Sequence, residues 1–179
     1  FRSVETKNKA LIACADALVK ESNSILEANA KDVLIGREKG MNEGLVDRLM
    51  LTEERIKGIA EGLEQVAALD DPVGEVLDMK KRPNGLLIGK KRVPLGVVGM
   101  IYEARPNVTP DAFALCFKSG NAVILRGGSD AINSNIAIVK VLQDTLKACG
   151  ITEDAVQLIE DTSHEVGTQF MKMNGYLDV

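Results

Sequence analysis

Apolar positions recur in two different rhythms along the chain. Up to about residue 70 the rhythm is helical. Leu11, Ala15, Leu18 and Val19 share a face in a helix expected over Lys7 to Leu26. A second run places Leu26, Ala30, Val33, Leu34 and Arg37 on related faces, and Gly40 closes it as a helix-ending glycine would. From Thr52 to Leu69 the pattern is clearest. Thr52 suits the cap, Glu53 and Glu54 suit the positive end of the helix dipole, and Ile56, Ile59, Ala60, Leu63 and Val66 form the apolar face. Asp70-Asp71-Pro72 ends it.

Past residue 75 the rhythm changes. Val76-Leu77-Asp78-Met79 and Leu86-Leu87-Ile88 flank Arg82-Pro83-Asn84-Gly85, and Asn-Gly between two short apolar runs signals a hairpin. From Pro94 onward, short continuous apolar runs alternate with helical ones. Strands are expected at Val97–Tyr102, Ala122–Leu125, Val156–Ile159 and from Leu177. Helices are expected at Asp111–Lys118, at Asp130–Ala148 with Ile136, Val139, Leu142 and Leu146 on one face, and after the capping box Thr162-Ser163-His164-Glu165. Uninterrupted apolar strands separated by helices indicate an α/β fold with a parallel, doubly wound sheet. The expected organisation is a helical segment over 1–74, a protruding hairpin over 75–93 and an α/β unit over 94–179. Phe1 in place of a start methionine suggests a piece of a longer protein.

Composition narrows the classes. Apolar residues make up 45% and charged residues 27%, as in globular domains, and the formal net charge is −4. That balance argues against a nucleic-acid binder. The six basic residues between Lys80 and Arg92 have no aromatic among them, which fits a solvated hairpin edge guarded by lysine. The longest uncharged apolar run, Val93 to Tyr102, contains Pro94 and is too short for a membrane span. Residues 1–10 carry Arg2, Glu5, Lys7 and Lys9, unlike a signal peptide. Three cysteines make no disulfide framework and fit a reducing, cytoplasmic compartment.

Ligands of a doubly wound sheet bind beyond the carboxyl ends of its strands. Two segments belong there: Tyr102-Glu103-Ala104-Arg105-Pro106-Asn107 and Arg126-Gly127-Gly128-Ser129. The second precedes a long helix, where backbone N–H groups and the dipole favour an anion, and Arg126 adds a planar fork of donors. A plain turn, with Arg126 structural at a helix mouth, is the alternative. The Gly-x-Gly-x-x-Gly fingerprint is absent. One histidine, His164, and three scattered cysteines give no metal-ligand spacing. Cys14 and Cys116 lie in apolar helical runs and read as buried, inert thiols, and Cys149 lies at a helix end.

Pro94-Leu95-Gly96-Val97-Val98-Gly99-Met100-Ile101 resembles the strand entering the cofactor domain of the aldehyde dehydrogenase superfamily. Tyr102-Glu103-Ala104-Arg105-Pro106-Asn107-Val108-Thr109, Lys118 to Gly128, Ile25 to Asn29 and Asp47-Arg48-Leu49 narrow the resemblance to the γ-glutamyl phosphate reductases, also called glutamate-5-semialdehyde dehydrogenases, over essentially the whole chain. The resemblance implies NADPH-dependent reduction of γ-glutamyl phosphate through a cysteine thioacyl intermediate. It makes Asn107 the oxyanion-hole candidate, with a turn or capping Asn as the alternative. It places Ile101, Tyr102, Arg126, Gly127, Gly128 and Ser129 at the cofactor. Arg126, with Ser129 where NAD-preferring relatives carry a carboxylate, favours NADPH over NADH. It further implies homo-oligomerisation through the hairpin, coupling to glutamate 5-kinase, and a cytoplasmic enzyme. The family's nucleophilic cysteine lies in a catalytic domain that these residues do not include, so the chain alone is expected to lack turnover. Arg105, beside Asn107 at a strand end, is a candidate for the substrate's phosphate or α-carboxylate, with a surface salt bridge as the alternative. Two rival functions stay open: an acylating aldehyde dehydrogenase with another acyl donor, and a non-catalytic nucleotide-binding module.

Overall fold

The computed structural model describes residues 2–103 and 105–179. Helix α1 (Val4–Lys20) starts where the Ser3 hydroxyl accepts from the Thr6 N–H, and it buries Ala10, Leu11, Cys14, Ala15 and Leu18. The single helix expected over Lys7 to Leu26 is broken at Glu21. The Ser24 hydroxyl donates to the Glu21 carbonyl at 2.8 Å, and such local bonds in a Ser/Asn-rich run compete with helix continuation. α2 (Ser22–Glu38) then buries Ile25, Asn29, Asp32 and Gly36. This corrects the expected apolar face, because Leu34 is 59% exposed and faces outward. A short α3 (Glu43–Leu49), capped by Asn42, was not expected. α4 (Glu53–Ala68) follows the expected face, with Thr52 accepting from the Arg55 N–H.

β1 (Val76–Lys81) and β2 (Leu87–Lys91) form the antiparallel hairpin, every residue of it exposed, and Gly85 turns it at φ +88°. The α/β part holds β3 (Val97–Ile101), α5 (Val108–Lys118), β4 (Ala122–Arg126), α6 (Ile132–Ala148), β5 (Val156–Leu158) and α7 (His164–Phe170). The parallel sheet has the order β3-β4-β5. Leu177 begins no ladder strand. Residues 177–179 instead lie along the free edge of β3, with Asp178 N–H to Val97 O at 2.9 Å and Gly99 N–H to Val179 O at 2.8 Å. The Asp178 carboxylate takes the Val97 N–H at 2.8 Å, which replaces part of a regular ladder. Gly96, at φ +122°, has no room for a Cβ against that carboxylate.

One apolar core joins α1, α4, α5, α6 and the sheet. Leu11, Leu18, Leu63, Phe113, Leu125, Ile138 and Leu142 are fully buried in it. The Phe113 and Phe117 rings stack at 5.3 Å. α7 and the segment after it cover the other sheet face, where Phe170 and Leu177 press on Gly99. Polar staples complete the packing. Asp32 accepts from the Asn133 and Ser134 N–H groups and from both side chains, so a carboxylate of α2 caps α6. Buried Lys7 pairs with Asp71 at 2.6 Å and donates to Lys118 O. Lys118 in turn donates to Ala67 O and Asn8. Each buried cation is thereby hydrogen-bonded, as burial requires.

Candidate functional site

β3 lies between residues 177–179 and β4, and its flanking connections cover opposite faces of the sheet. Such a switch point leaves a crevice at the strands' carboxyl ends. Alternation along β3 separates the two expected cofactor-floor residues. Ile101 is 46% exposed beside Phe170 and Leu177, in a cleft of about 340 Å³. Tyr102 turns its ring toward the helical core and is joined to β4 by its N–H to Arg126 O. Its hydroxyl lies 2.7 Å from Thr109 Oγ1, which donates to Asn135 Oδ1 at 2.8 Å. Thr109 has one proton to give, so Tyr102 is the donor in that pair. Burial raises the Tyr102 pKa, with the Thr109 bond opposing.

Asn135 Nδ2 is buried and has no partner among the described residues. It rests against Gly127, where a Cβ would collide with it and meet the Tyr102 ring at 3.3 Å. Gly127 is therefore set by close packing rather than by backbone conformation. The expectation of an open anion site at the mouth of α6 needs correction. A turn over Ser129–Ala131 precedes the helix, and Asp32 already holds the N–H groups of Asn133 and Ser134. Gly128 and exposed Ser129 stand before that turn.

Arg126 reaches the start of α7. Its Nη2 donates to Thr162 O at 2.8 Å and to Ser163 O at 2.9 Å, and its guanidinium lies against Gly167. Its Nε is buried without a partner among the described residues. The α7 cap is Ser163, not Thr162, because the Ser163 hydroxyl accepts from the Val166 N–H. His164 is simply the first residue of that helix.

After β3, Asn107 stands at the N-cap of α5 but its side chain makes no capping bond. It opens with Arg105 into a cleft of about 420 Å³, shared with Asp111 and, from α3 and α4, with Asp47, Arg48 and Arg55. Ala104 falls outside the described residues. Burial pushes the Asp111 carboxyl above the usual carboxylate range, with the Asn107 side chain opposing. Asp47, Arg48 and Arg55 escape a reading based on strand ends, because α3 and α4 bring them there from the first third of the chain, and Asp111 escapes it because it lies a turn into α5.

None of the cysteines lines this cleft. Burial, helped by nearby Cys149, pushes the Cys14 thiol up to about 12. Thiol titration of the native protein is expected to modify exposed Cys149 quickly and Cys14 only on unfolding. Equal rates at the two would contradict this burial. Among the described residues no cluster could hold a metal ion, and no helix is long and apolar enough to cross a membrane.

No family model matches the chain. The chain is 58% identical over 179 residues to γ-glutamyl phosphate reductase of Clostridium perfringens, which covers all of this chain and 43% of that protein. The crystal structure of γ-glutamyl phosphate reductase from Thermotoga maritima superposes with TM-score 0.95 at 45% identity, over 98% of this chain and 42% of that one. More distant structures share the fold. They are a probable aldehyde dehydrogenase of Listeria monocytogenes (TM-score 0.72, 15% identity, 97% of this chain, 35% of that one) and the NADP complex of an NADP-dependent glyceraldehyde-3-phosphate dehydrogenase of Bacillus halodurans (TM-score 0.66, 21% identity, 99% of this chain, 35% of that one). The chain thus spans less than half the length of the curated relatives it matches.

Proposed function

We propose that the chain is the N-terminal portion of a γ-glutamyl phosphate reductase, and that the whole protein reduces γ-glutamyl phosphate to glutamate 5-semialdehyde with release of phosphate, the second step of proline biosynthesis. The observation that carries this reading is the 58% identity over all 179 residues. A cysteine thiolate attacks the acyl carbon, phosphate leaves, and hydride reduction of the thioester releases the aldehyde and regenerates the thiolate. The attacking cysteine comes from outside these residues, since none of Cys14, Cys116 and Cys149 lines the cleft. Asn107 contributes its amide N–H to the acyl oxygen as negative charge develops there, and its side chain, which is not spent on capping α5 and opens into the cleft, supports that role. Arg105, in the same cleft, supplies positive charge for the departing phosphate.

NADPH supplies the hydride. The residues at the end of β4 fit it on two counts: Arg126 keeps a buried Nε without a partner, and Ser129 places no carboxylate against a 2′-phosphate. Gly127 and Gly128 keep the intervening backbone close to the sheet edge, and Ile101 and Tyr102 would border the cofactor through their backbone. The exposed hairpin, with Leu77, Met79, Leu86, Leu87 and Ile88 uncovered, supports homo-oligomerisation by strand addition. A cytoplasmic enzyme functionally coupled to glutamate 5-kinase completes the reading.

The full-length protein is expected to reduce NADP when given glutamate 5-semialdehyde and phosphate, and the 179-residue chain is expected not to. Activity with coenzyme A in place of phosphate would replace the proposed acyl donor. Arg126→Ala is expected to raise KM for NADPH about 10- to 100-fold, the size of a lost charge-assisted hydrogen bond, and to change KM for NADH much less. A purely structural Arg126 would raise both equally.

A further inference from the structure

We infer that the cleft between α3, α4 and the start of α5 is the subsite for the α-amino-acid head of the substrate, with Arg48 holding the α-carboxylate and Asp111 the α-ammonium. This deepens the proposed function and rests on it. The charges of the cleft sort themselves. Asp47 and Arg55 pair with each other at 2.9 Å, so they are largely spent. Arg48, Arg105 and Asp111 line the same cleft and enter no ion pair among the described residues. Two cations and one anion are then left facing about 420 Å³ of space. The substrate carries one cation, the ammonium, and two anionic groups, the α-carboxylate and the acyl phosphate. The signs are complementary group by group. Arg105 is two residues from Asn107, where the acyl phosphate reacts, which leaves Arg48, from α3, for the carboxylate.

The backbone around Arg48 is fixed before any ligand arrives. Arg55 Nη1 donates to the Asp47 carbonyl and, at 2.7 Å, to Met50 O, while Arg55 Nη2 holds the Asp47 carboxylate. Buried Asn29 donates to Leu49 O at 2.8 Å and accepts from the Leu51 N–H at 2.7 Å. Carbonyls on both sides of Arg48 are thus tied, while its guanidinium has no protein partner among the described residues. The backbone that carries the guanidinium is held in place, and the planar fork suits a carboxylate.

The test uses the full-length enzyme in the aldehyde-oxidising direction with three aldehydes: glutamate 5-semialdehyde, 4-aminobutanal, which lacks the carboxylate, and 5-oxopentanoate, which lacks the ammonium. Arg48→Ala is expected to raise KM for the semialdehyde and for 5-oxopentanoate about 10- to 100-fold. It should leave 4-aminobutanal and the KM values for phosphate and NADP unchanged. Asp111→Asn is expected to penalise the semialdehyde and 4-aminobutanal but not 5-oxopentanoate. Variants that lose activity equally with all three aldehydes, or with none, overturn the assignment while the wild-type enzyme remains active. A wild-type enzyme inactive toward the semialdehyde overturns the proposed function and this subsite with it.

Discussion

In the full-length enzyme, Asn107→Ala is expected to lower kcat by roughly 10²- to 10³-fold, the usual loss on removing one oxyanion donor, with KM for NADPH unchanged. Asn107 occupies the N-cap of α5 at φ −64° and ψ −22°, an αR geometry in which its side chain makes no capping bond. The backbone bond from the Asp111 N–H to Asn107 O is untouched by the substitution. Truncation therefore removes no capping bond, only the side-chain hydrogen bond to the Asp111 carboxyl, and its stability cost stays within about 1 kcal/mol. What is lost is one donor in the cleft that also holds Arg105 and Asp111. Asn107→Asp tests the same point from the other side. It keeps the shape but puts an acceptor where a donor is needed, and it is expected to be as impaired as alanine. Steady-state rates and NADPH binding, measured on the same preparations, check both. A fall in kcat below about fivefold with an unchanged melting temperature would remove Asn107 from the chemistry.

The sequence was most legible where burial is apolar. α1, α4 and α6 turn inward most of the residues that their periodicity singles out, such as Leu11, Leu63 and Leu142. Val19 at the end of α1 is exposed, and Val66 and Ile136 are half-buried at the edges of their faces. The short apolar runs at Val97, Ala122 and Val156 become the parallel strands. Legibility fails where the buried side is polar. In α2 the inward positions include Asn29 and Asp32 while Leu34 faces outward, so an apolar pattern points to the wrong face. The same blindness hides Thr109 and Asn135, whose burial makes sense only once Tyr102 is packed beside them. The cleft was half legible. Arg105 and Asn107 follow a strand end, the place where α/β sheets bind ligands. Arg48 comes from a helix too short for its pattern to be read. The one sign of it was the Asp47-Arg48-Leu49 run in the family resemblance.

Asp32→Ala is expected to destabilise the protein by about 3 kcal/mol, because a buried carboxylate and its four hydrogen bonds disappear together. Asp32 is 2% exposed. Its Oδ2 accepts from the Ser134 N–H at 2.7 Å and from the Ser134 hydroxyl at 2.6 Å, and its Oδ1 accepts from Asn133 N at 3.2 Å and Nδ2 at 2.7 Å. Two of those donors are backbone N–H groups in the first turn of α6, which have no intrahelical acceptor. The Ser134 hydroxyl also accepts from Asn29 Nδ2 at 3.0 Å, so it keeps one partner when its own acceptor is lost. At about 2–4 °C per kcal/mol for a unit of this size, the melting temperature should fall by roughly 6–12 °C. Asp32→Asn keeps an acceptor but turns an NH₂ toward other donors, so it is expected to restore only part of the loss. Hydrogen exchange at Asn133 and Ser134 separates this mechanism from general loosening. Those two amides should exchange about 10²-fold faster in Asp32→Ala, ahead of amides near the middle of α6. The turn over Ser129–Ala131 leads straight into the loosened helix start, so KM for NADPH should rise in the same variant. Unchanged exchange at Asn133 and Ser134 would mean that α6 holds its first turn without α2.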